Sequence, residues 1–567
     1  MSNDLSARTG RANGPYGELV VTALRKLGVQ HFVVSPGSRS TPLTLAVAEL
    51  PESEVTVCVD ERSAAFHALG RIKVSRRPVA LVCTSGTAGA HYYPAVIEAR
   101  EAGLPLVVLT ADRPPELRHC HAGQTIDQVK LFGTYPVFQA ELPLPEDDPV
   151  MLRQVRELCR RAVEAALGPF HGPVHLNCPF REPFFPTDGG ERAGFPPELL
   201  NGLHPVRRAV SDLPVLPDLP EKTLILAGPR PWMDHASEWE SLLELSWSRG
   251  FPILADGSNP LRYHGAECPH LIIHYDRIAR DDALWDELAP EAVILRGEPP
   301  TSKVLRARLA DLDVRGYQIG EGKPGINPIH GRIEWAGGSV AAFIERCRGN
   351  YGHYGEHWAR RDREFETRLS AALEEPHELF EGDVHRLLGK ILPEDSPIFY
   401  ASSLAIRDAE WFMPRRTVPL LPFSQRGANG IDGTLSLARG IAAGLGQPTF
   451  LVTGDLAFLH DANGLLGSHR DDPGVFVVLL NNRGGGIFDL LPVARQTPHF
   501  ERFWGTPQEV DFRKWTEAHR GRHVLCDDLV SLEWAVEEWT GQGLMVAEIP
   551  VDRKASADLH RRYLKLG

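Results

Sequence analysis

Two segments, near residues 450 and 480, carry the residue types that hard-cation and phosphate chemistry needs. FLVTGD ends in Gly454 and Asp455, VFVVLLNN ends in Asn481 and Asn482, and LAFLHDANGLLGSHRDDPG joins them. Each begins as an apolar run of strand length, so one crossover places Asp455 and Asn482 at the carboxyl ends of two parallel strands, the edge where such sheets bind ligands. Mg²⁺ takes one or two carboxylates together with carbonyls, water and substrate phosphates. Asp455 and the Asn482 amide meet that demand. NRGGGIF follows at once, and Gly484, Gly485 and Gly486 let backbone come close to a ligand and offer it carbonyls and N–H groups. The spacing predicts a diphosphate site with Mg²⁺ or Mn²⁺, its metal ligands drawn from Asp455, Asn482 and Gly484.

A second carboxylate stands far away in VTVCVDERSAAFHALG, where Glu61 ends a strand and opens a helix. Alone, it reads as a first-turn acid that suits the helix dipole. Beside the Asp455/Asn482 pair it becomes a candidate for acid–base work, and a dry pocket would raise its pKa. The chain has a formal net charge of −13, yet Arg39, Arg113, Arg407 and Arg426 stand in the words VSPGSRSTPL, TADRPPELR, SSLAIRD and QRGANGIDGTLS. Arginine forks suit carboxylates. Ser403 and Arg407 in SSLAIRD are four residues apart and would share a helix face.

The elements that must position these residues follow from the pattern. HFVVS, TVCVD, VALVCTS, LPLVVLTAD and GPVHLNCP alternate with helical stretches, then TLILAG, PILAD, HLIIHYD, AVILRG and GYQIG, then PIFYASS, FLVTGD, GVFVVLLNN and LMVAEIP. Such alternation implies βαβ units and parallel sheets. We expect an α/β protein of three parallel-sheet domains, 1–185, 206–350 and 376–567. The Pro- and Gly-rich passage from Phe180 to Pro205 reads as a linker, and the charged stretch from His357 to Glu374 as a solvated helix or connector.

At 567 residues the chain exceeds one core. Its acidity and lack of a Lys/Arg run argue against nucleic acid, and no apolar run approaches bilayer length. Residues 1–17 lack the apolar centre of a secretory signal, so the cytoplasm is expected. Eight cysteines stand singly, with no CxxC pair, and most are expected to be reduced core residues. GEGKPG, residues 320–325, matches GxGxxG formally, but Pro324 and Pro328 oppose the required helix. His119, Cys120 and His121 lack the second half of a metal site and read as a loop near the active site. Asp461 reads as the N-cap of the crossover helix, and no GxSxG elbow is present.

Gly454-Asp455 with Asn481-Asn482, joined to a distant Glu61, resembles the thiamine-diphosphate enzymes. VSPGSRSTPL, TSGTAGAHYYPAVIEA, TADRPPELR, GQTIDQ, QRGANGIDGTLS and NNRGGGIFDLLP are similar, more narrowly, to the synthases of menaquinone biosynthesis, densely over about 33–135 and 400–495. The resemblance implies an N-terminal pyrimidine-binding domain, a central domain without dinucleotide and a C-terminal diphosphate-binding domain. It implies decarboxylation of 2-oxoglutarate and 1,4-addition of the product to isochorismate, with thiamine diphosphate and Mg²⁺ bound between subunits of a homodimer or homotetramer. It assigns Glu61 to the aminopyrimidine ring, Ile431 to bending the cofactor, and Gly430, Gly454, Asp455, Leu456, Asn482, Gly484, Gly485 and Phe488 to its surroundings. Ser38, Arg39, Arg113, Gln124, Lys303, Ser403, Arg407, Arg426, Phe488 and Leu491 fall on the substrate side, with Glu61, Gln124, Arg39 and Arg407 catalytic. Gly123 stands where some relatives carry Asn, and Lys303 is followed by Val304. The rivals are an acetolactate synthase or simple 2-oxoacid decarboxylase, a noncatalytic thiamine-diphosphate-binding protein, and a dinucleotide oxidoreductase.

Overall fold

A computed structural model of the protein describes residues 2–51, 54–169, 171–185, 194–206, 219–229, 236–264, 267–320, 325–347, 351–467 and 473–566. The chain forms two compact units, residues 1–209 and 210–567. Together they hold three six-stranded sheets in which the paired strands are parallel.

The first unit contains β1 (His31–Val34), β2 (Glu54–Val57), β3 (Val79–Cys83), β4 (Leu106–Asp112), β5 (Phe138–Glu141) and β6 (Val174–Pro179), ordered β2-β1-β3-β4-β6-β5. Phe32, Val34, Val82, Val107 and Leu109 pack with Leu19, Leu24, Val155 and Cys159 in one core. The alternate residues Val33, Leu81 and Val108 are equally buried, as strands covered on both faces require. Asp148 starts the helix Pro149–Ala166 by accepting from the N–H groups of Val150 and Met151. The passage read as a linker, Phe180 to Pro205, is described over 180–185 and 194–205. It folds back onto this unit, burying Leu199, Leu200 and Leu203, and the Val206 N–H donates to the Leu27 carbonyl.

The second unit holds two sheets. β7 (Thr223–Ala227), β8 (Ile253–Ala255), β9 (Leu271–Ile272), β10 (Ala292–Arg296), β11 (Arg315–Ile319) and β12 (Arg332–Ala336) run β12-β11-β10-β7-β8-β9. That is the order of a dinucleotide-binding sheet. The formal GxGxxG begins, however, after the fifth strand of the sheet, not the first, and its residues 321–324 lie outside the described residues. Residues 325–331 form no helix. β13 (Ser396–Tyr400), β14 (Leu420–Ser424), β15 (Thr449–Gly454), β16 (Val475–Asn481), β17 (Arg522–Leu525) and β18 (Leu544–Pro550) repeat the first sheet's topology, β14-β13-β15-β16-β18-β17.

The charged stretch beginning at His357 lies in a helix, Tyr354–Leu373, but it is not merely solvated. Trp358 and Phe365 join the core on one face of the middle sheet, and buried Asp362 accepts from the N–H groups of Ile273 and His274. Its charges occupy the outer face while its aromatic residues recur at helical spacing. Arg262, fully buried, donates to the carbonyls of Ala255 and Ile273 and also to those of Glu410 and Met413, so one guanidinium ties the middle sheet to the helix Leu404–Phe412.

Candidate cofactor and substrate site

In the second unit β15 and β16 are neighbours, with Gly454 opposite Leu480. Asp455 therefore begins a helix, Asp455–His460, beside the point where Asn482 leaves its strand. The Asp455 carboxyl is 2% exposed. Burial pushes its pKa up to about 6, against the backbone N–H groups of Leu456 and Gly484 that favour the charged form. Asn482 donates through Nδ2 to Glu381 Oε1 at 3.0 Å, while its Oδ1 is buried and has no hydrogen-bond partner among the described residues. A partnerless buried acceptor beside a carboxylate strained by burial is the donor set a hard cation relieves.

The three glycines pack as closely as the cradle requires. A Cβ on Gly484, where φ is +138°, would lie 2.0 Å from the Gly505 carbonyl oxygen; one on Gly485 would lie 2.3 Å from that of Trp504; one on Gly486 would meet Asn482 Nδ2 at 2.5 Å. By contrast a Cβ on Gly454 meets nothing within 4 Å. Among the described residues no three His, Cys, Asp or Glu side chains group to hold a metal, so the fit is to a cation held by one carboxylate, an amide oxygen and ligand oxygens. Leu456 and Phe488 are half-buried, Phe488 against Gly485. Gly430 and Ile431 form the turn before the helix Thr434–Leu445, where the Ile431 carbonyl accepts from Thr434 Oγ1 at 2.8 Å.

The crossover helix starts at Asp455, and Asp461 follows its end, at the N-cap position of the short 3₁₀ helix Ala462–Leu465 but without a side-chain cap bond there. Its carboxylate instead accepts from the Ser436 N–H at 2.7 Å, in the first turn of Thr434–Leu445. The cap position there is Gly433, which has no side chain to do this, so a residue distant in sequence supplies the acceptor.

Ser403 and Arg407 share a face, and the Arg407 guanidinium donates to the Ser403 carbonyl. Ser403 sits at φ +79°, ψ −127°, a strained conformation for a residue with a Cβ. Burial lowers the Arg407 pKa to about 10, with Arg426 and then Arg306 adding repulsion and Asp408 opposing it. Arg306 is lowered in the same sense by burial and by Arg426. The charges of Arg426 and Arg306 are thus both felt at Arg407. Arg306 was not singled out from the sequence; it lies three residues after Lys303, and an i,i+3 reading of that helix was the available signal. Lys303, Arg407 and Leu491 line one cavity of about 810 Å³, in which seven cationic side chains outnumber three acidic ones.

In the first unit Glu61 opens the helix Glu61–Ser75 just past β2, and Asp60 caps that helix through the Ser63 N–H at 3.1 Å. The buried Cys83 thiol and Tyr92 phenol have raised pKa values, chiefly from burial, and the Glu61 charge adds to both. Next to it, at the switch between β1 and β3, the loop holding exposed Ser38 and buried Arg39 packs on the loop after β3: a Cβ on Gly37 would lie 2.3 Å from Thr84 Cβ. Arg113 donates to Ser85 Oγ, and Gln124 Nε2 to the Ser85 carbonyl at 3.0 Å. Gln124 has φ +55°, in the same loop as His119 (+56°) and His121 (+61°). Arg39 donates to the Phe180 carbonyl at 2.9 Å and pairs with Glu182, and its pKa is lowered by burial and by Arg113. Arg113 and Gln124 therefore meet at Ser85, a residue not singled out from the sequence, while the loop of Ser38 and Arg39 packs on the adjoining Thr84 through Gly37.

No disulfide joins any of the eight cysteines, all of which lie among the described residues, and six are buried. No helix among the described residues is long and apolar enough to cross a membrane.

Comparison with known proteins agrees with this geometry. Residues 15–131 match the family model described as the N-terminal TPP binding domain of thiamine pyrophosphate enzymes, and residues 415–549 match the corresponding C-terminal domain. Solved structures of benzoylformate decarboxylase from Polynucleobacter necessarius and of a putative thiamin diphosphate-dependent enzyme from Mycobacterium smegmatis share the fold. Both have a TM-score of 0.66 at 16% identity, covering 95% and 94% of this chain and 99% of theirs. The 2-succinyl-5-enolpyruvyl-6-hydroxy-3-cyclohexene-1-carboxylate synthase of Synechococcus sp. (strain JA-3-3Ab) is 41% identical over 98% of this chain and 96% of its own. The protein of that name from Trichormus variabilis is 40% identical over 95% of each chain. With that identity extending over nearly the whole chain, the chain belongs to the family of 2-succinyl-5-enolpyruvyl-6-hydroxy-3-cyclohexene-1-carboxylate synthases, a branch of the thiamine pyrophosphate enzymes.

Proposed function

We propose that the protein decarboxylates 2-oxoglutarate and adds its succinyl unit in a 1,4 sense to isochorismate, giving 2-succinyl-5-enolpyruvyl-6-hydroxy-3-cyclohexene-1-carboxylate and CO₂. It is then a transferase of menaquinone biosynthesis. The observation that carries this reading is that the buried Asp455/Asn482 pair and three mutually repelling guanidiniums, Arg306, Arg407 and Arg426, belong to one folded unit. The first suits a cation and diphosphate, and the second suits substrates rich in carboxylates.

When bound, thiamine diphosphate supplies a carbon nucleophile and then an electron sink for the charge left by CO₂. Asp455, the Asn482 oxygen and a Gly484 carbonyl would hold its Mg²⁺ or Mn²⁺, and the glycine run would take the diphosphate. Glu61 would be the acid–base partner of the aminopyrimidine ring, a contribution of about 10²- to 10⁴-fold where acid–base help is at work. Ile431, Leu456 and Phe488 exclude water from the ring. Arg407, Arg426 and Lys303 in the second unit would suit carboxylates, as would, in the first unit taken by itself, Ser38, Arg39, Arg113 and Gln124. The family resemblance supports a homodimer or homotetramer, and eight cysteines outside any disulfide support the cytoplasm. The three-domain division 1–185, 206–350 and 376–567 is part of the same reading, each domain centred on one sheet.

The test is a spectrophotometric assay of isochorismate loss with 2-oxoglutarate, thiamine diphosphate and Mg²⁺, comparing the wild type with Glu61→Gln. Loss that requires every component and falls at least about 10²-fold in the variant supports the proposal. CO₂ release from 2-oxoglutarate or pyruvate without isochorismate consumption moves the assignment to a decarboxylase or acetolactate synthase.

A further inference from the structure

An amide ligand has two chemically different ends that occupy nearly the same volume, so a site that uses its oxygen must fix which end turns inward. In this chain the fixing group is 101 residues away. Glu381, 1% exposed, opens the helix Glu381–Ile391, and its Oε1 accepts from Asn482 Nδ2 at 3.0 Å. An ionised carboxylate only accepts, so it selects the nitrogen and turns Oδ1 the other way. The second oxygen, Oε2, accepts from Ser556 Oγ on the C-terminal helix Arg553–Leu564. Ser556 is 3% exposed and lies 3.2 Å from His560 Nδ1 on the same helix, and His560 Nε2 lies 2.8 Å from Asp408, the neighbour of Arg407. Both Glu381 oxygens are thus committed. A buried carboxylate with both oxygens held is costly to keep for packing alone, since an apolar replacement of equal shape is often neutral or better.

We propose that Glu381 is a positioning residue for the divalent cation, orienting the Asn482 amide so that Oδ1 faces the metal, and that the C-terminal helix holds Glu381 in place through Ser556. This rests on the reading of Asp455 and Asn482 as cation ligands. Groups one shell out from a metal change its affinity by about 10- to 100-fold when removed.

The experiment is Mn²⁺ binding to the full-length protein with thiamine diphosphate, followed by electron paramagnetic resonance of free Mn²⁺, with thermal unfolding of each variant alongside. Glu381→Ala is expected to weaken Mn²⁺ by about 10- to 100-fold. Glu381→Gln should remain near wild type, because its carbonyl still accepts from Nδ2 while its amide faces the Ser556 hydroxyl. Asp455→Asn is the control: if it leaves Mn²⁺ binding intact, the cation reading itself fails. If Asp455→Asn weakens binding and Glu381→Ala does not, the cation reading stands and the positioning role is overturned. Should Glu381→Ala not fold, N482D decides. It sets two carboxylates against each other and should bind Mn²⁺ poorly, and the N482D/E381Q pair should recover because the new amide donates where Nδ2 did. Losses that merely add in the pair would overturn the proposal.

Discussion

His560 Nε2 lies 2.8 Å from the Asp408 carboxylate, with both side chains out of reach of solvent. Its Nδ1 lies 2.8 Å from the Ser556 carbonyl, so both ring nitrogens face acceptors and the ring is a cation. Burial alone lowers its pKa; the Asp408 charge and hydrogen bond, joined by Glu381 and the Ser556 carbonyl, outweigh burial and push it up to about 9. The remaining neighbours are the rings of Phe380, Trp411 and Phe412, which do not titrate.

A pKa raised in the folded state stabilises the fold while the ring is protonated. The contribution is complete below the unfolded value near 6.5 and is lost as pH rises through about 9. It amounts to on the order of 3 kcal/mol. Melting temperatures from pH 6 to 10 should fall on the alkaline side for the wild type. Asp408→Asn should melt lower at pH 6.5, with the gap closing above pH 9; a constant gap would refute the ion pair.

Gly484 and Gly454 separate two reasons for a glycine. Gly484→Ala meets an immovable carbonyl at 2.0 Å and φ +138°, so a loss of about 1–3 kcal/mol or more is expected. Gly454→Ala meets only open space and should melt like the wild type. If that space belongs to the diphosphate, calorimetry should show thiamine diphosphate binding weakened at least about tenfold, or about 1.4 kcal/mol. Normal cofactor binding by Gly454→Ala would move the diphosphate elsewhere.

The sequence was most legible where strands are buried on both faces and least where they are not. FLVTGD, GVFVVLLNN and TLILAG read as unbroken apolar runs, and each became a central strand. The four strands the pattern did not show, β5, β12, β14 and β17, all stand at sheet edges. FQAE and RHVL have too few apolar residues to register, RIEWA leaves most of its side chains exposed, and LLPFS contains Pro422, which an edge tolerates. The same limit applies to the site. Asp455 and Asn482 were visible because each follows a strand, whereas Glu381 and Arg306 meet their partners only through tertiary packing. The charge of the stretch after His357 masked an apolar helix face.

Arg262 should be a stability residue without catalytic effect. Arg262→Met keeps the volume but strips donors from four buried carbonyls on two sides of the joint. Each buried acceptor left unsatisfied costs about 1–3 kcal/mol, so urea unfolding should show a loss of at least about 3 kcal/mol, with KM values nearly unchanged. A variant of wild-type stability would mean that water or shifted backbone replaces the guanidinium.

Arg306, Arg407 and Arg426 repel one another, and at Arg306 and Arg407 burial already disfavours charge. Removing Arg426 relieves its two neighbours, so Arg426→Gln should leave the ligand-free protein as stable as the wild type or more so, the usual relation between a strained site and its function. The same change removes a charge-assisted contact of about 1.5–3 kcal/mol to a carboxylate, which raises KM for one anionic substrate by roughly 10- to 100-fold. Melting curves and steady-state kinetics on one preparation test both halves. A lower melting temperature with unchanged KM would show that Arg426 is a structural cation whose partners outweigh the repulsion.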